Sequence, residues 1–170
     1  MARDPRLFDA SASLAERVTA AFSKDGPLAQ AFPGFRPRGG QLGFALALAE
    51  TLQKEGTLVA EAGTGTGKTF AYLTPALLSG LTVIISTGGK PLQDQLYKKD
   101  VPMLSRALGV HPKTAVLKGR ANYVCLERLM HVAEDGVPLP ERNSHAKLRK
   151  IVRFAQITKT GDRSELAEVP

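Results

Sequence analysis

In the run Ala62-Gly63-Thr64-Gly65-Thr66-Gly67-Lys68-Thr69, residue type and spacing together specify a chemistry. Glycines at alternate positions let the backbone N–H groups turn inward, and a concave set of N–H groups suits phosphate oxygens. The lysine after them brings a positive charge to the β- and γ-phosphates, and the threonine hydroxyl a ligand for Mg²⁺. This is the pattern of a phosphate-binding loop, or Walker A motif, with Ala62 in place of the usual first glycine. The spacing predicts that Gly63, Thr64, Gly65, Thr66, Gly67, Lys68 and Thr69 bind a nucleotide, ATP with Mg²⁺. The bland alternative is a Gly/Thr-rich turn with a chance Gly-Lys-Thr.

Turnover asks for more. An acidic residue at the end of another strand must hold Mg²⁺ and align the attacking water, and a hydrophobic run ending in Asp-Glu would mark it. No Asp-Glu dipeptide occurs in the chain. Glu134-Asp135 stands beside Gly136 in a turn-like stretch and reads as solvated loop. The expectation is a chain that binds nucleotide better than it hydrolyses it. The histidines add no chemistry, because His111, His131 and His145 lack metal-ligand spacing.

Elements must position the loop. The apolar, partly β-branched run 57–63 reads as a strand entering it. Residues 68–79 read as a helix leaving it, stopped by Gly80 and carrying Pro75 inside. The start of such a helix directs positive partial charge at an anion. Further strands are expected at 81–87 and 114–119. Helices are expected at 11–22, 41–54, 90–108 with a break or bend at Pro102, 122–132 and 145–157. The stretch 32–40 reads as a Pro/Gly loop. Strands alternating with helices imply βαβ units, so the expected class is α/β: a parallel sheet with flanking helices, incomplete within these residues.

Composition sets the limits. The chain has 170 residues, 43% hydrophobic and 23% charged, with a formal net charge of +7, which is ordinary globular material and excludes wholesale disorder. A single cysteine excludes an internal disulfide and cannot by itself hold a zinc or iron–sulfur centre. No apolar run approaches the roughly 18–20 residues that cross a bilayer. The opening MARDPRLFDA lacks an apolar signal core, so the expected location is cytoplasmic, with no membrane partner. The basic excess lies almost wholly after residue 89, where Lys147, Arg149, Lys150, Arg153 and Lys159 crowd together. Such a cluster is either a solvated helix face or a nucleic-acid contact surface.

Three segments, taken in order, resemble one family. FRPRGGQLGFALALAETLQKEGTLVAEAGTGTGKTFAYLTPALL (35–78) carries a Gln upstream of the loop. VIISTGGKPLQDQL (83–96) follows the second expected strand. LKGRANYVCLERL (117–129) carries Cys125. Together they resemble the XPD-like iron–sulfur DNA helicases of superfamily 2, in the bacterial DinG/YoaA branch and on its YoaA side. TGDRSELAEVP (160–170) is similar to the family's approach to a second cysteine.

The resemblance implies a RecA-like P-loop NTPase motor, interrupted by an iron–sulfur domain and followed by a second motor. It implies an ATP-dependent helicase moving 5′ to 3′ on single-stranded DNA in repair or replication. On that reading 1–34 is an amino-terminal helical segment and 35–119 the first part of the motor. Residues 120–170 begin the iron–sulfur insertion, and the chain is an amino-terminal fragment. Gln41 would bind adenine, with Phe35 and Arg38 beside the base, although a polar residue at a helix start explains Gln41 as well, and a packing phenylalanine and a loop arginine explain the other two equally.

Ser86, Thr87 and Gly88 would hold the DNA backbone, or cap the next helix, while Gln93, Asp94 and Gln95 read as orientation and surface residues. Lys118 and Arg120 would offer phosphate contacts, or form a solvated strand end. Cys125 would be the first of four ligands to a [4Fe–4S] cluster in the full-length parent only, because the other three thiolates are not among these residues. Two other readings stay open: a small P-loop phosphotransferase, and a non-catalytic module that binds nucleotide or single-stranded nucleic acid.

Overall fold

In the computed structural model, residues 7, 9, 11–134 and 144–166 are described. They fall in two units, Met1–Val116 and Leu117–Pro170. Helix α1 of the first unit, Leu14–Ala21, starts on a full capping box. The Glu16 N–H donates to Ser13 Oγ at 3.2 Å, and the Ser13 N–H donates to Glu16 Oε2 at 2.7 Å. Two of the N–H groups that every helix start leaves without a partner are thereby satisfied. Leu14, Val18 and Ala21, at helical spacing, form its buried stripe. After α2, Pro27–Ala31, the long helix α3 runs Gly39–Gln53.

Helix α4, Lys68–Ser79, begins and ends on left-handed glycines, Gly67 at φ +81° and Gly80 at φ +72°. It keeps Pro75 inside and buried. Ala45 and Ala49 of α3 and Ala71 of α4 are fully buried, and small side chains here let two helix backbones approach closely. Arg17 of α1 donates from Nη1 to the Leu78 carbonyl at 3.0 Å, satisfying a carbonyl of the last turn of α4. Four aromatic rings close the region: Phe35 stacks on Phe70 at 6.1 Å, Phe32 meets Phe70 at 5.1 Å, and Phe22 meets Phe35 at 6.1 Å.

The polar helix expected at 90–108 is three pieces in one line: α5 (Lys90–Gln95), a π-helical turn (Leu96–Asp100) and α6 (Val101–Leu108). Pro102 sits in the first turn of α6. A proline ring excludes the preceding α-helical hydrogen bond, and the wider π turn just before it is the local accommodation. Leu104 and Leu108 of α6 are buried.

The second unit holds a 3₁₀ turn at Arg120–Asn122, α7 at Leu126–Glu134, α8 at Ser144–Ile157 and a 3₁₀ turn at Arg163–Glu165. Glu134 ends α7, whereas Asp135 and Gly136, the rest of the acidic turn read from sequence, lie outside the described residues. So do residues 167–170.

The expected parallel sheet is not formed, and the α/β, RecA-like class is corrected by the observed architecture. Segments 57–63, 81–87 and 114–119 contain no strand, and among the described residues the one bridge is an isolated antiparallel pair, Tyr123 with Asp162. Val59 and Ile84 are each 92% exposed and Leu117 84%. A parallel strand needs a hydrogen-bonded neighbour and covered faces, and β-branched composition supplies neither. Composition marked these segments as strand material; lateral partners, which no local pattern encodes, are what they lack here. The described residues are therefore helices joined by irregular segments.

Candidate nucleotide and nucleic-acid sites

The loop 62–67 turns on Gly65 and Gly67, at φ +74° and +81°, a backbone region that L side chains rarely adopt. A Cβ on Gly67 would also run into the Gln41 amide. Thr66 Oγ1 donates to the Gly63 carbonyl at 2.8 Å and tightens the turn. Lys68, the first residue of α4, is exposed and folds back over the loop. Its Nζ donates to the carbonyls of Ala62 at 2.6 Å and Gly63 at 2.7 Å. Both acceptors are neutral. An ammonium so held exchanges carbonyl oxygens for phosphate oxygens with a gain in Coulomb attraction. Thr69 is hydrogen-bonded with Tyr72; burial pushes the Tyr72 phenol up, and the Thr69 bond opposes that shift.

Of the three residues expected beside the base, two bond to the loop. Gln41 is 7% exposed and its Nε2 donates to the Gly67 carbonyl at 3.0 Å. Arg38, exposed, donates from Nη1 to the Gly65 carbonyl at 2.7 Å. Phe35 belongs to the aromatic cluster described above. Gln41 and Arg38 thus reach the loop from either side of the α3 start, and adenine would find the Gln41 amide already engaged through one of its two polar atoms.

Ser86 and Gly88 are exposed, and Thr87 Oγ1 donates to the Gly89 carbonyl at 3.3 Å. Helix α5 has no side-chain cap, so the capping alternative for Ser86 and Thr87 is not what this structure shows. Asp94 meets Lys98 at 3.7 Å on the surface, and Gln95 Nε2 donates to the buried Asp100 at 3.0 Å. Gln95 therefore does more than solvate a face.

In the second unit the segment 117–125 is clasped to the turn 158–166. Lys118 Nζ lies 2.7 Å from Asp162 Oδ2, with side chains only 5% and 11% exposed, and it approaches Ser164 Oγ at 3.4 Å. The Lys118 N–H donates to the Tyr123 hydroxyl at 2.8 Å, the Val124 N–H to the Gly161 carbonyl at 2.9 Å, and Arg163 Nη1 to the Ala121 carbonyl at 3.1 Å. The hydrogen bond from Lys118 holds the Asp162 carboxyl well below its ordinary range, at about 2, against the opposing push of burial.

Sequence reasoning missed Asp162, Tyr123 and Ser164. No spacing rule connects them to Lys118, and the only signal was the polar density of both segments. Arg120 is exposed at the start of its 3₁₀ turn, and Cys125 is an exposed free thiol just before α7. No group of three or more His, Cys, Asp or Glu able to hold a metal occurs among the described residues. A [4Fe–4S] cluster takes four thiolates, and one cysteine among these 170 residues does not fit it.

The glycine loop thus opens a helix with its lysine turned over the loop mouth. The chain belongs to the family of the YoaA and DinG helicases. It is 52% identical over 148 residues to ATP-dependent DNA helicase YoaA of Haemophilus influenzae, covering 87% of this chain. It is 54% identical over 123 residues, 72% of the chain, to ATP-dependent DNA helicase YoaA of Escherichia coli. ATP-dependent helicase DinG of Mycobacterium tuberculosis is 35% identical over 159 residues, 82% of the chain. The matched part is 23%, 19% and 24% of those relatives' lengths, so the chain spans less than a quarter of each. No protein-family model and no solved structure matches the chain. No described helix is long and apolar enough to cross a membrane.

Proposed function

We propose that these residues are the ATP-binding part of an ATP-dependent 5′–3′ DNA helicase that works on single-stranded DNA in repair or replication. The observation that carries the reading is Lys68, exposed at the start of α4 and held only by the neutral carbonyls of Ala62 and Gly63. Gly63, Thr64, Gly65, Thr66 and Gly67 would present backbone N–H groups to the phosphates, and Lys68 would exchange its two carbonyls for phosphate oxygens. Thr69 would ligate Mg²⁺, which neutralises phosphate charge when bound. Gln41 would read adenine with whatever amide capacity its Gly67 bond leaves, or set the loop's shape and leave the base alone.

Ser86, Thr87, Gly88 and Arg120 are exposed or half-exposed and suit DNA phosphates without reading sequence. Lys118 reaches a phosphate only by leaving Asp162. With no Asp-Glu pair in the chain, these residues bind nucleotide without turning it over, and hydrolysis and unwinding belong to the longer protein. Cys125, the one cysteine of these 170 residues, does not by itself hold an iron–sulfur cluster.

The test is equilibrium binding of a fluorescent ATP analogue with Mg²⁺ to the 170-residue chain. Saturable binding that weakens about 10–100-fold in Lys68→Ala is the expected result. Binding indifferent to Lys68, or none, overturns the reading.

A further inference from the structure

Residues 117–129 carry the one cysteine of the chain. Small metal units are commonly unfolded until the metal binds, because the binding free energy is their folding free energy. A [4Fe–4S] cluster takes four thiolates, and these 170 residues supply one. Order around Cys125 therefore has to come from bonds that the chain makes with itself, and such bonds lie on both sides of it. On the amino side, the Val124 N–H donates to the Gly161 carbonyl at 2.9 Å, next to the antiparallel bridge of Tyr123 with Asp162. On the carboxyl side, the Cys125 carbonyl accepts the Leu129 N–H at 3.0 Å and opens α7, whose Leu129 is buried.

Further back, the 3₁₀ turn closes on the Gly119 carbonyl, which accepts from the Asn122 N–H and from Asn122 Nδ2, each at 2.9 Å. Lys118 anchors this run twice, by its N–H on the Tyr123 hydroxyl at 2.8 Å and by its Nζ on Asp162 at 2.7 Å. The second anchor is a nearly buried ion pair. Separating it would leave a charge away from water, so it holds the two segments at one register. These bonds use amides, an ammonium, a phenol and a carboxylate. None uses sulfur, and the thiol stands exposed.

From this arrangement we infer that the clasp of Lys118 on Asp162, rather than metal ligation, fixes the backbone at Cys125, so that the thiol is presented on a scaffold already folded. Lys118, Asp162 and Tyr123 are then positioning residues for that thiol. The segment keeps its shape whether or not the sulfur carries a metal.

The single cysteine allows a nitroxide spin label at position 125 of the 170-residue chain with no background site. In buffer stripped of metals by a chelator, its electron paramagnetic resonance spectrum should be the broadened one of a label on ordered backbone. The Val124 amide should be protected from hydrogen exchange in the same buffer, and unlabelled Cys125→Ser should keep that protection. Lys118→Met should sharpen the spectrum and abolish the protection. Should Lys118→Met unfold the whole unit, Tyr123→Phe is the milder cut. It removes one hydroxyl and keeps the ring, so the label should loosen in part while helix content by circular dichroism stays unchanged.

A freely mobile label or an unprotected Val124 in the chelated wild-type chain overturns the inference, whether or not iron(II) restores order to the unlabelled protein. Loss of protection in Cys125→Ser does the same, because the sulfur itself would then be the anchor. A wild-type spectrum in Lys118→Met, or in Tyr123→Phe where Lys118→Met unfolds the unit, denies the clasp its role and overturns the inference as well.

Discussion

Lys68 and Lys118 were read from the sequence as phosphate-binding cations, and the structure gives them opposite circumstances. Lys68 is exposed and rests on two neutral carbonyls. Lys118 is buried and rests on a carboxylate, with the Ser164 hydroxyl as a further acceptor. The first ammonium gives up weak partners to gain a charged one. The second would have to leave Asp162 as an unpaired buried charge, which is expensive wherever solvent is scarce. Burial and the charge of the present partner, more than the presence of a lysine in a polar motif, decide which cation is available to a ligand. Lys68 is the exposed cation on neutral partners, and Lys118 the buried one in an ion pair.

The comparison breaks most visibly at Lys118. Lys118→Met should destabilise the second unit by about 3–5 kcal/mol, because Asp162 is left buried without its counter-charge. Loss of amide hydrogen-exchange protection at Val124 and Ser164 would report it. Lys118→Met/Asp162→Leu should recover much of the loss, since no charge then remains buried; a double variant no better than the single one would mean the pair is worth little. Acid makes the same cut without mutation. The Asp162 carboxyl is held at about 2 against 3.8 unperturbed. Its contribution is therefore complete above pH 3.8 and lost as pH falls through 2. That acid-sensitive step should vanish in Asp162→Asn.

Next in size is Lys68→Ala. It should leave the melting of the first unit unchanged within about 0.5 kcal/mol, as expected of an exposed side chain. It should reduce nucleotide affinity by about 10–100-fold, the worth of a charge-assisted hydrogen bond. Destabilisation by Lys68→Ala as large as that by Lys118→Met would erase the distinction between the two lysines.

Much of this was legible in the sequence, and unevenly. The helix 68–79 was readable to the residue because its ends are local events, Gly67 before it and Gly80 after it. Helix α1 lies inside the expected 11–22, its start set by the capping box of Ser13 and Glu16. The disturbance at Pro102 followed from one ring, and it is a π-helical turn just before the proline with the helix running on. The sheet failed because strand formation depends on partners far along the chain. Val59 and Ile84 carry β-type composition and stand 92% exposed, outside any strand. The same non-locality hid Asp162, whose burial against Lys118 joins two segments that each look polar and solvated. Gln41 was found by its place upstream of the loop, but its bond to the Gly67 carbonyl depends on how α3 packs on α4, which no motif states.

The smallest effects fall on the two side chains that reach the loop from α3. Gln41 is buried and Arg38 exposed, and both donate to loop carbonyls, to Gly67 and Gly65 respectively. If burial decides, the two should not weigh the same. Gln41→Ala removes a sheltered bond that fixes Gly67, and should cost about 1 kcal/mol in a urea melt of the first unit. Arg38→Ala removes a bond whose partners rehydrate at once, and the change should stay within about 0.5 kcal/mol. Arg38 would still act on binding, because its guanidinium holds positive charge beside the phosphate loop, and ATP affinity should fall a few-fold in a salt-dependent way. An Arg38→Ala effect on stability equal to that of Gln41→Ala would show that exposure at this loop does not set the worth of a hydrogen bond, and the contrast between Lys68 and Lys118 would then need another cause.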